Sequence, residues 1–163
     1  MKRLIILRGN SGSGKTTVAR ALQERLGRTT MLLSQDTLRR EILRVKENSK
    51  HPTAELLQMM TRFGWDKGFE TVIIEGVWSS QKNRQALKEL LQEATESHVY
   101  YFDISFEETL RRHATKPNKN DFGESEMREW WKEKDYLGVD GEIILHEDMS
   151  KDEIVARIID SLS

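Results

Sequence analysis

The stretch LIILRGNSGSGKTT, residues 4–17, decides the fold of this chain. Its first four residues are apolar and predict a buried strand, and the turn after them has the spacing G-x-x-x-x-G-K-T. Glycines in such a turn let the backbone fold tightly and point successive N–H groups inward. We therefore expect a loop that cradles the phosphates of a nucleoside triphosphate, with positive charge from Lys15 and a hydroxyl suited to Mg²⁺ from Thr16. The expected loop residues are Gly9, Asn10, Ser11, Gly12, Ser13, Gly14, Lys15, Thr16 and Thr17.

Length and composition bound the possible functions. At 163 residues the chain is long enough for one domain with a substantial core, and no repeat or linker divides it, so we expect a single domain over 1–163. The absence of cysteine excludes disulfides, thiolate metal sites and a cysteine nucleophile. The net charge of −1 gives no overall attraction for a polyanion. The apolar runs are too short for a membrane span or a secretory signal, so we expect a cytoplasmic protein without membrane contacts.

Strand-like and helix-like patterns alternate along the chain. The five strand candidates are residues 3–8, 30–34, 71–75, 98–104 and 142–145. Amphipathic segments separate them, and such alternation predicts an α/β fold whose mostly parallel sheet is covered on both faces by helices. Helices are expected at 15–26 and 83–95, and two more should begin at the capping patterns Ser105-x-x-Glu108 and Ser150-x-x-Glu153.

Two further segments are expected to cover the ends of the strands. The segment 36–69 should contain two helices with a break near Asn48 to Pro52, because proline disfavours helical geometry at the residue before it. We interpret it as the acceptor-binding segment. The stretch 114–125 is rich in Asn, Lys and Gly and predicts a mobile flap within a lid that spans 111–130.

Acidic and aromatic residues follow the second and third strands, where open α/β sheets bind ligands. Asp36 could accept the proton of an attacking hydroxyl, or it could simply cap its helix. Glu75 ends an apolar run and is suited to holding Mg²⁺ through water, with Thr16 as the direct ligand. Trp78 could line the acceptor pocket or pack in the core.

Basic residues in the lid are candidates for neutralising the charge of a transferring phosphoryl group. They are Arg111, Arg112, Lys116, Lys119 and Arg128. The alternative is that Glu107 with Arg111 and Glu108 with Arg112 form ordinary surface pairs one helical turn apart. The pair Trp130-Trp131 could stack on a base or form a buried helix face.

With these motifs the chain resembles the small P-loop kinases of the polynucleotide kinase, zeta toxin and chloramphenicol phosphotransferase type. The resemblance rests on GNSGSGKTT, SQDTLRR, VIIEG and DISFEETLRRH. It implies a three-layer P-loop NTPase fold, with five parallel strands in the order 2-3-1-4-5 and a small helical lid. It also implies that Asp36 activates the acceptor hydroxyl, that Arg39 or Arg40 positions the acceptor, and that Arg111 or Arg112 contacts the phosphates or the adenine.

The resulting hypothesis is an ATP-dependent kinase that uses Mg²⁺ to transfer the γ-phosphoryl group to a hydroxyl of a small molecule, such as a nucleoside, sugar or antibiotic-like compound. Lys15, Asp36 and Arg112 are the expected catalytic residues, and Asp36, Arg39, Arg40, Glu75 and Trp78 the expected acceptor-site residues. A polynucleotide 5′-hydroxyl kinase is one alternative, although polynucleotide kinases usually carry a basic residue and paired acids where this chain has Gln35 and a single Asp36. A non-catalytic nucleotide sensor or partner-binding protein is the other.

Overall fold

The computed structural model describes residues 1–47, 49–117 and 119–163. Its strands are β1 (Arg3–Gly9), β2 (Thr30–Ser34), β3 (Thr71–Gly76), β4 (Glu96–Asp103) and β5 (Ile143–His146). They form one sheet in the order β2-β3-β1-β4-β5, and every pairing is parallel. The predicted sheet and its strand order are confirmed.

Helices cover both faces of the sheet. They are α1 (Lys15–Leu26), α2 (Thr53–Asp66), α3 (Ser80–Glu93), α4 (Phe106–His113), α5 (Glu124–Trp130) and α6 (Lys151–Ser161). Helices α1 and α6 pack against each other on one face, and α2 and α3 on the other. None of these helices, in the part of the chain that the structure describes, has the length and apolarity needed to cross a membrane.

The central strands β1 and β3 are buried along nearly their whole length, which explains their continuous apolar runs. Successive side chains of β1 point to opposite faces of the sheet and enter two separate cores. Leu4 and Ile6 pack beneath α2 and α3, whereas Ile5 and Leu7 pack beneath α1 and α6. Arg8 interrupts this pattern, since it is a charged residue that is nevertheless fully buried.

The segment 36–69 differs from its prediction in one respect. It does contain two helices, but the first, Thr37–Leu43, is a π-helix, a rare form that occurs mostly at functional sites. The described residues between the two helices are not helical, and Asn48, at the start of the predicted break, lies outside the described residues. Proline at 52 immediately precedes α2, as its fixed φ allows.

The two predicted helix starts at Ser105 and Ser150 are capped. The Ser105 hydroxyl oxygen accepts from the Glu108 N–H over 3.2 Å, and that of Ser150 accepts from the Glu153 N–H over 3.1 Å. The reciprocal bond of a full capping box is replaced at Ser105, whose own N–H donates to Glu147. Both caps fix where helices leave the carboxyl-end edge of the sheet.

Candidate active site

The loop between β1 and α1 has a backbone that only glycine accepts at its turns. Gly12 lies at φ 81°, and a Cβ there would come within 2.8 Å of the carbonyl oxygen of Thr109. A Cβ on Gly9 would come within 2.9 Å of the carbonyl oxygen of Phe102. The loop therefore packs directly on β4 and α4, and its open side leads into the N-terminus of α1, where backbone N–H groups attract anions. This geometry fits a chain of phosphates.

Lys15 is folded back onto this loop. Its ammonium donates to the carbonyl oxygen of Asn10 over 2.7 Å and to the hydroxyl of Ser13 over 3.1 Å, and only 6 % of the residue is exposed. Burial lowers the pKa of Lys15 to about 8, against the opposing pull of Glu75 and Asp36. The positive charge of the Lys15 ammonium is thus held at the loop, where both carboxylates stabilise it electrostatically.

Two contacts that fix the loop were not predicted from the sequence. The side-chain amide of Asn10, itself an expected loop residue, donates to the carbonyl oxygen of Lys132 over 2.7 Å, and its oxygen accepts from the Lys132 N–H over 2.9 Å. Arg8, two residues earlier in β1, donates to the carbonyl oxygen of Trp78 and forms an ion pair with Asp135 at 2.9 Å. An arginine within an apolar strand was a signal for the second contact, whereas no local pattern points from Asn10 to Lys132.

Thr16 and Glu75 meet at the mouth of the loop. The Thr16 hydroxyl lies 3.1 Å and 3.2 Å from the two carboxylate oxygens of Glu75, which ends β3 and is 2 % exposed. Hydroxyl and carboxylate oxygens are the hard ligands that Mg²⁺ prefers, so this pair fits the predicted metal site. Within residues 1–47, 49–117 and 119–163 there is no cluster of three or more acidic or histidine side chains able to hold a metal. A magnesium ion at Thr16 would therefore depend on phosphate and water oxygens as well.

Asp36 stands at the start of the π-helix, and its side chain makes no capping hydrogen bond there. The alternative that it serves as a helix cap is thereby removed. Its side chain is 71 % exposed, with Arg40 at 3.6 Å and Arg39 at 4.0 Å. The negative charge of Asp36 raises the pKa of Lys15, against the lowering effect of burial, so the carboxylate acts electrostatically on the ammonium in the phosphate loop. Arg39 is engaged within its own segment, through an ion pair with Glu47 at 2.8 Å.

The prediction that Trp78 lines an acceptor pocket is wrong. The ring is fully buried, its indole N–H donates to the carbonyl oxygen of Glu75 over 3.0 Å, and its backbone N–H donates to the side chain of Gln35 over 2.9 Å. Its φ of 35° is rare outside glycine and shows that this turn is held under constraint. Trp78 and Gln35 instead fix the ends of β2 and β3, and hence the two carboxylates.

Arg112 reaches the phosphate loop from the lid. Its guanidinium donates to the carbonyl oxygen of Ser13 over 2.7 Å and to Glu108 over 3.0 Å. Arg111 is exposed and its ion pair is also with Glu108. One carboxylate therefore holds both arginines, so the expected pairing of Glu107 with Arg111 is wrong and that of Glu108 with Arg112 is confirmed.

Lys116 is the other lid residue that faces the loop. Burial lowers its pKa, while Glu75 and Asp36 raise it and Arg112 lowers it further. The lid thus brings two positive charges, from Arg112 and Lys116, to the cavity beside the loop. Lys119 is exposed.

The remaining lid candidates point elsewhere. Arg128 pairs with Glu124 at 2.9 Å, and its guanidinium carbon lies 4.3 Å from the centroid of the Phe106 ring. Trp131 packs edge-on against the same ring at 5.3 Å. Trp130 is 38 % exposed, which does not agree with the expected buried helix face.

Two cavities open on either side of the phosphate loop. The larger, about 610 Å³, is lined by the loop, by Arg111, Arg112 and Lys116 of the lid, and by the segment 147–151. The smaller, about 230 Å³, is lined by Thr16, Glu75, Arg20 and part of the π-helix. The first has the size and polarity for a nucleotide, and the second adjoins the proposed metal position.

Residues 4–137 of this chain match the family described as an AAA domain, and that stretch includes the phosphate loop, both carboxylates and the lid. The chain belongs to the AAA-domain family. No curated protein sequence matches this AAA-domain chain. The finer resemblance, to polynucleotide kinases, zeta toxins and chloramphenicol phosphotransferases, stays a prediction.

Solved structures share the fold of this AAA-domain protein. The APS kinase CysC of Mycobacterium tuberculosis, in complex with AMPPNP and APS, is 18 % identical and has a TM-score of 0.70, over 97 % of this chain and 95 % of that one. A gluconokinase from Sinorhizobium meliloti is 18 % identical with a TM-score of 0.64, over 95 % and 88 % of the two chains. Shikimate kinase from Acinetobacter baumannii, in complex with shikimate, is 20 % identical with a TM-score of 0.58, over 98 % and 90 %. At these identities the likeness establishes the shared fold.

Proposed function

We propose that this AAA-domain protein is a Mg²⁺- and ATP-dependent kinase that transfers the γ-phosphoryl group to a hydroxyl of a small molecule. The observation that carries the proposal is the exposed carboxylate of Asp36, which makes no capping hydrogen bond, lies just after β2, next to the strand that carries Glu75, and acts electrostatically on the ammonium of Lys15. A carboxylate free to accept a proton beside a phosphate cradle is what a hydroxyl nucleophile requires.

The residues divide the chemistry among them. Backbone N–H groups of the loop and Lys15 hold the β- and γ-phosphates, while Arg112 and Lys116 neutralise the charge that spreads over the transferring group. The acceptor oxygen attacks the γ-phosphorus, its proton passes to the Asp36 carboxylate, and the bond from the γ-phosphorus to the bridging oxygen of ADP breaks. Thr16, with Glu75 through water, would hold Mg²⁺, which supplies further neutralisation of phosphate charge.

A small acceptor is favoured by the limited space beside the predicted metal position. The cavity of about 230 Å³ there has apolar walls from the sheet and the π-helix and polar walls from Thr16 and Arg20. Asp36 does not line it, but Ser34 and Thr37, on either side of Asp36 in the sequence, both do. The similar structures include an APS kinase in complex with APS and a shikimate kinase in complex with shikimate. We therefore propose a small-molecule acceptor, such as a nucleoside, a sugar or an antibiotic-like alcohol.

A polynucleotide acceptor is less well supported. Two basic residues of segment 36–69 that could bind its phosphates are already neutralised in part, since Arg39 pairs with Glu47 and Arg40 with Asp36. Contacts to several phosphates would make oligonucleotide binding fall steeply with salt. Oligonucleotide binding at low salt that disappears with added salt would favour this alternative over a small-molecule acceptor.

The test is transfer of a radiolabelled γ-phosphate from ATP, in the presence of Mg²⁺, to a panel of nucleosides, sugars, aminoglycoside and phenicol antibiotics, and 5′-hydroxyl oligonucleotides. We expect a labelled small-molecule product with wild-type protein and at least a hundredfold less with Asp36→Asn. Labelled oligonucleotide would identify the polynucleotide alternative. Nucleotide binding without transfer to any acceptor or to water would favour the non-catalytic sensor.

A further inference from the structure

Arg40 joins the acceptor-binding segment to the lid. Its guanidinium carbon lies 5.7 Å from the centroid of the Phe122 ring and 5.7 Å from that of the Trp130 ring. Its Nε lies 3.6 Å from a carboxylate oxygen of Asp36. One side chain therefore contacts both the proposed base and the aromatic part of the lid.

The two rings belong to an aromatic cluster, His113, Phe122 and Trp130, that fixes the lid's shape. The Phe122 and Trp130 centroids are 5.0 Å apart, and the His113 ring stacks on Phe122 at 4.4 Å and 22°. His113 is buried, and its Nε2 lies 2.8 Å from the carbonyl oxygen of Phe122. The aromatic surface that Arg40 contacts is thus fixed by packing among three rings and by one hydrogen bond.

An ordinary surface ion pair would not need this arrangement. Asp36 and Arg40 are four residues apart, and such pairs form on solvated helix faces without any third element. Arg128, whose guanidinium lies on the ring of Phe106, belongs to the lid itself. Within the described residues, the cation–π contacts that connect the lid to segment 36–69 are those of Arg40.

We propose that Arg40 is a positioning residue that couples closure of the lid to the orientation of Asp36. This inference rests on the proposed function, in which Asp36 is the base. With the lid in place, the aromatic cluster holds the guanidinium and the guanidinium holds the carboxylate toward the loop. With the lid displaced, Arg40 loses its contacts with the rings, and Asp36 loses a partner that is fixed in place. Asp36 is therefore oriented only when the lid also holds Arg112 and Lys116 at the loop. Such gating would restrict transfer to the closed, water-excluding state.

The first test needs no activity. Protein labelled with 5-fluorotryptophan is studied by ¹⁹F NMR, and the Trp130 resonance is assigned by its loss in Trp130→Phe. We expect Arg40→Gln to shift this resonance, and Asp36→Asn to shift it as well, because Asp36 fixes Arg40 against the ring. In the Arg40→Gln background, Asp36→Asn should add no further shift. Arg44→Gln removes an exposed charge from the same segment and should leave the resonance in place.

The second test uses the acceptor that the labelled-phosphate panel identifies, or γ-phosphate release to water if it identifies none. Arg40→Gln should lower kcat by about 5- to 30-fold with little change in the KM for ATP, and Arg40→Lys should restore part of it. Phe122→Leu should lower kcat similarly, and the double variant should lose no more than either single one.

The outcomes separate the two proposals. A Trp130 resonance unmoved by Arg40→Gln, or fully additive losses of kcat in the double variant, would overturn the coupling. Failure of phosphoryl transfer in wild-type protein would instead count against the proposed function, while the NMR response would still report whether Arg40 links Asp36 to the lid.

Discussion

The ammonium of Lys15 donates a hydrogen bond to the carbonyl oxygen of Asn10, over 2.7 Å. Asn10 is in turn bound through its side chain to the backbone of Lys132, beyond the lid. Phosphates that enter the loop would replace the carbonyl as the partner of the ammonium. The ammonium of Lys15 is therefore already positioned in the loop, and its protonation state in the free protein governs how strongly it binds an anion.

Binding of Mg-ATP should weaken as the pH rises above about 8. Burial lowers the pKa of Lys15 to about 8 in the free protein, and bound phosphates raise it again. Below that pH, Lys15 is protonated in both the free and the nucleotide-bound protein, so the Kd should be constant. Above it, binding must take up a proton, so the Kd should rise toward about tenfold per pH unit.

Competition against a fluorescent ATP analogue between pH 7 and pH 9.5 measures this dependence. The Lys15→Ala variant should bind more weakly at pH 7 and show no such rise. A wild-type Kd that stays flat over the whole range would remove the charge of Lys15 from nucleotide binding.

Asp36→Asn should suppress transfer and spare nucleotide binding. The amide keeps the shape of the side chain but cannot accept the acceptor's proton, so kcat should fall by roughly 10²- to 10⁴-fold. The KM for ATP should change little, because the carboxylate lies outside the phosphate loop. Steady-state kinetics with the identified acceptor give both values, and unchanged turnover would exclude Asp36 as the base.

Arg112→Gln should impair both nucleotide binding and turnover. The guanidinium donates to the loop carbonyl oxygen of Ser13, so its loss should reduce kcat/KM for ATP by about 10²-fold or more. Arg111→Gln is the matched comparison: both arginines line the larger cavity and pair with Glu108, but the Arg111 side chain is 69 % exposed against 24 % for Arg112, so its loss should cost less. Equal losses in the two variants would contradict the assignment of Arg112 to the phosphates.

Arg8→Met should destabilise the fold by about 3 kcal/mol, since it leaves the carboxylate of Asp135 without its buried partner. The double variant Arg8→Met/Asp135→Asn should lose less than the sum of the single variants, as expected for residues in contact. Urea unfolding followed by circular dichroism gives the free energy of unfolding for each. A loss below about 1 kcal/mol in Arg8→Met would show that the ion pair contributes little.

Much of the fold was predictable because its signals are local. The apolar runs, the glycine spacing at residues 9–14 and the serine caps each lie within a few residues of the structure they specify. The π-helix was not predictable, because its residues have the same apolar spacing as an ordinary helix. The burial of Trp78 was not predictable either, because an aromatic ring in the turn after β3 can line a pocket or pack in the core.

The sequence allowed us to predict which residues lie near the site better than which contacts those residues make. The loop, Thr16, Glu75, Asp36 and Arg112 do meet at one edge of the sheet, as strand ends in a parallel sheet require. The contacts of Asn10 with Lys132 and of Arg40 with the lid rings join distant parts of the sequence. Neither has a local pattern, so only the folded chain reveals them.

The loop from Gly9 to Thr16, with the ammonium of Lys15, is expected to bind the terminal phosphates of ATP. Isothermal titration calorimetry with the non-hydrolysable analogue Mg-AMPPNP at pH 7.5 tests this binding, with Lys15→Ala as the comparison. We expect saturable binding at one site in the wild-type protein and affinity at least tenfold weaker in the variant. No saturable heat with wild-type protein at millimolar nucleotide, or equal affinity in the two proteins, would contradict it.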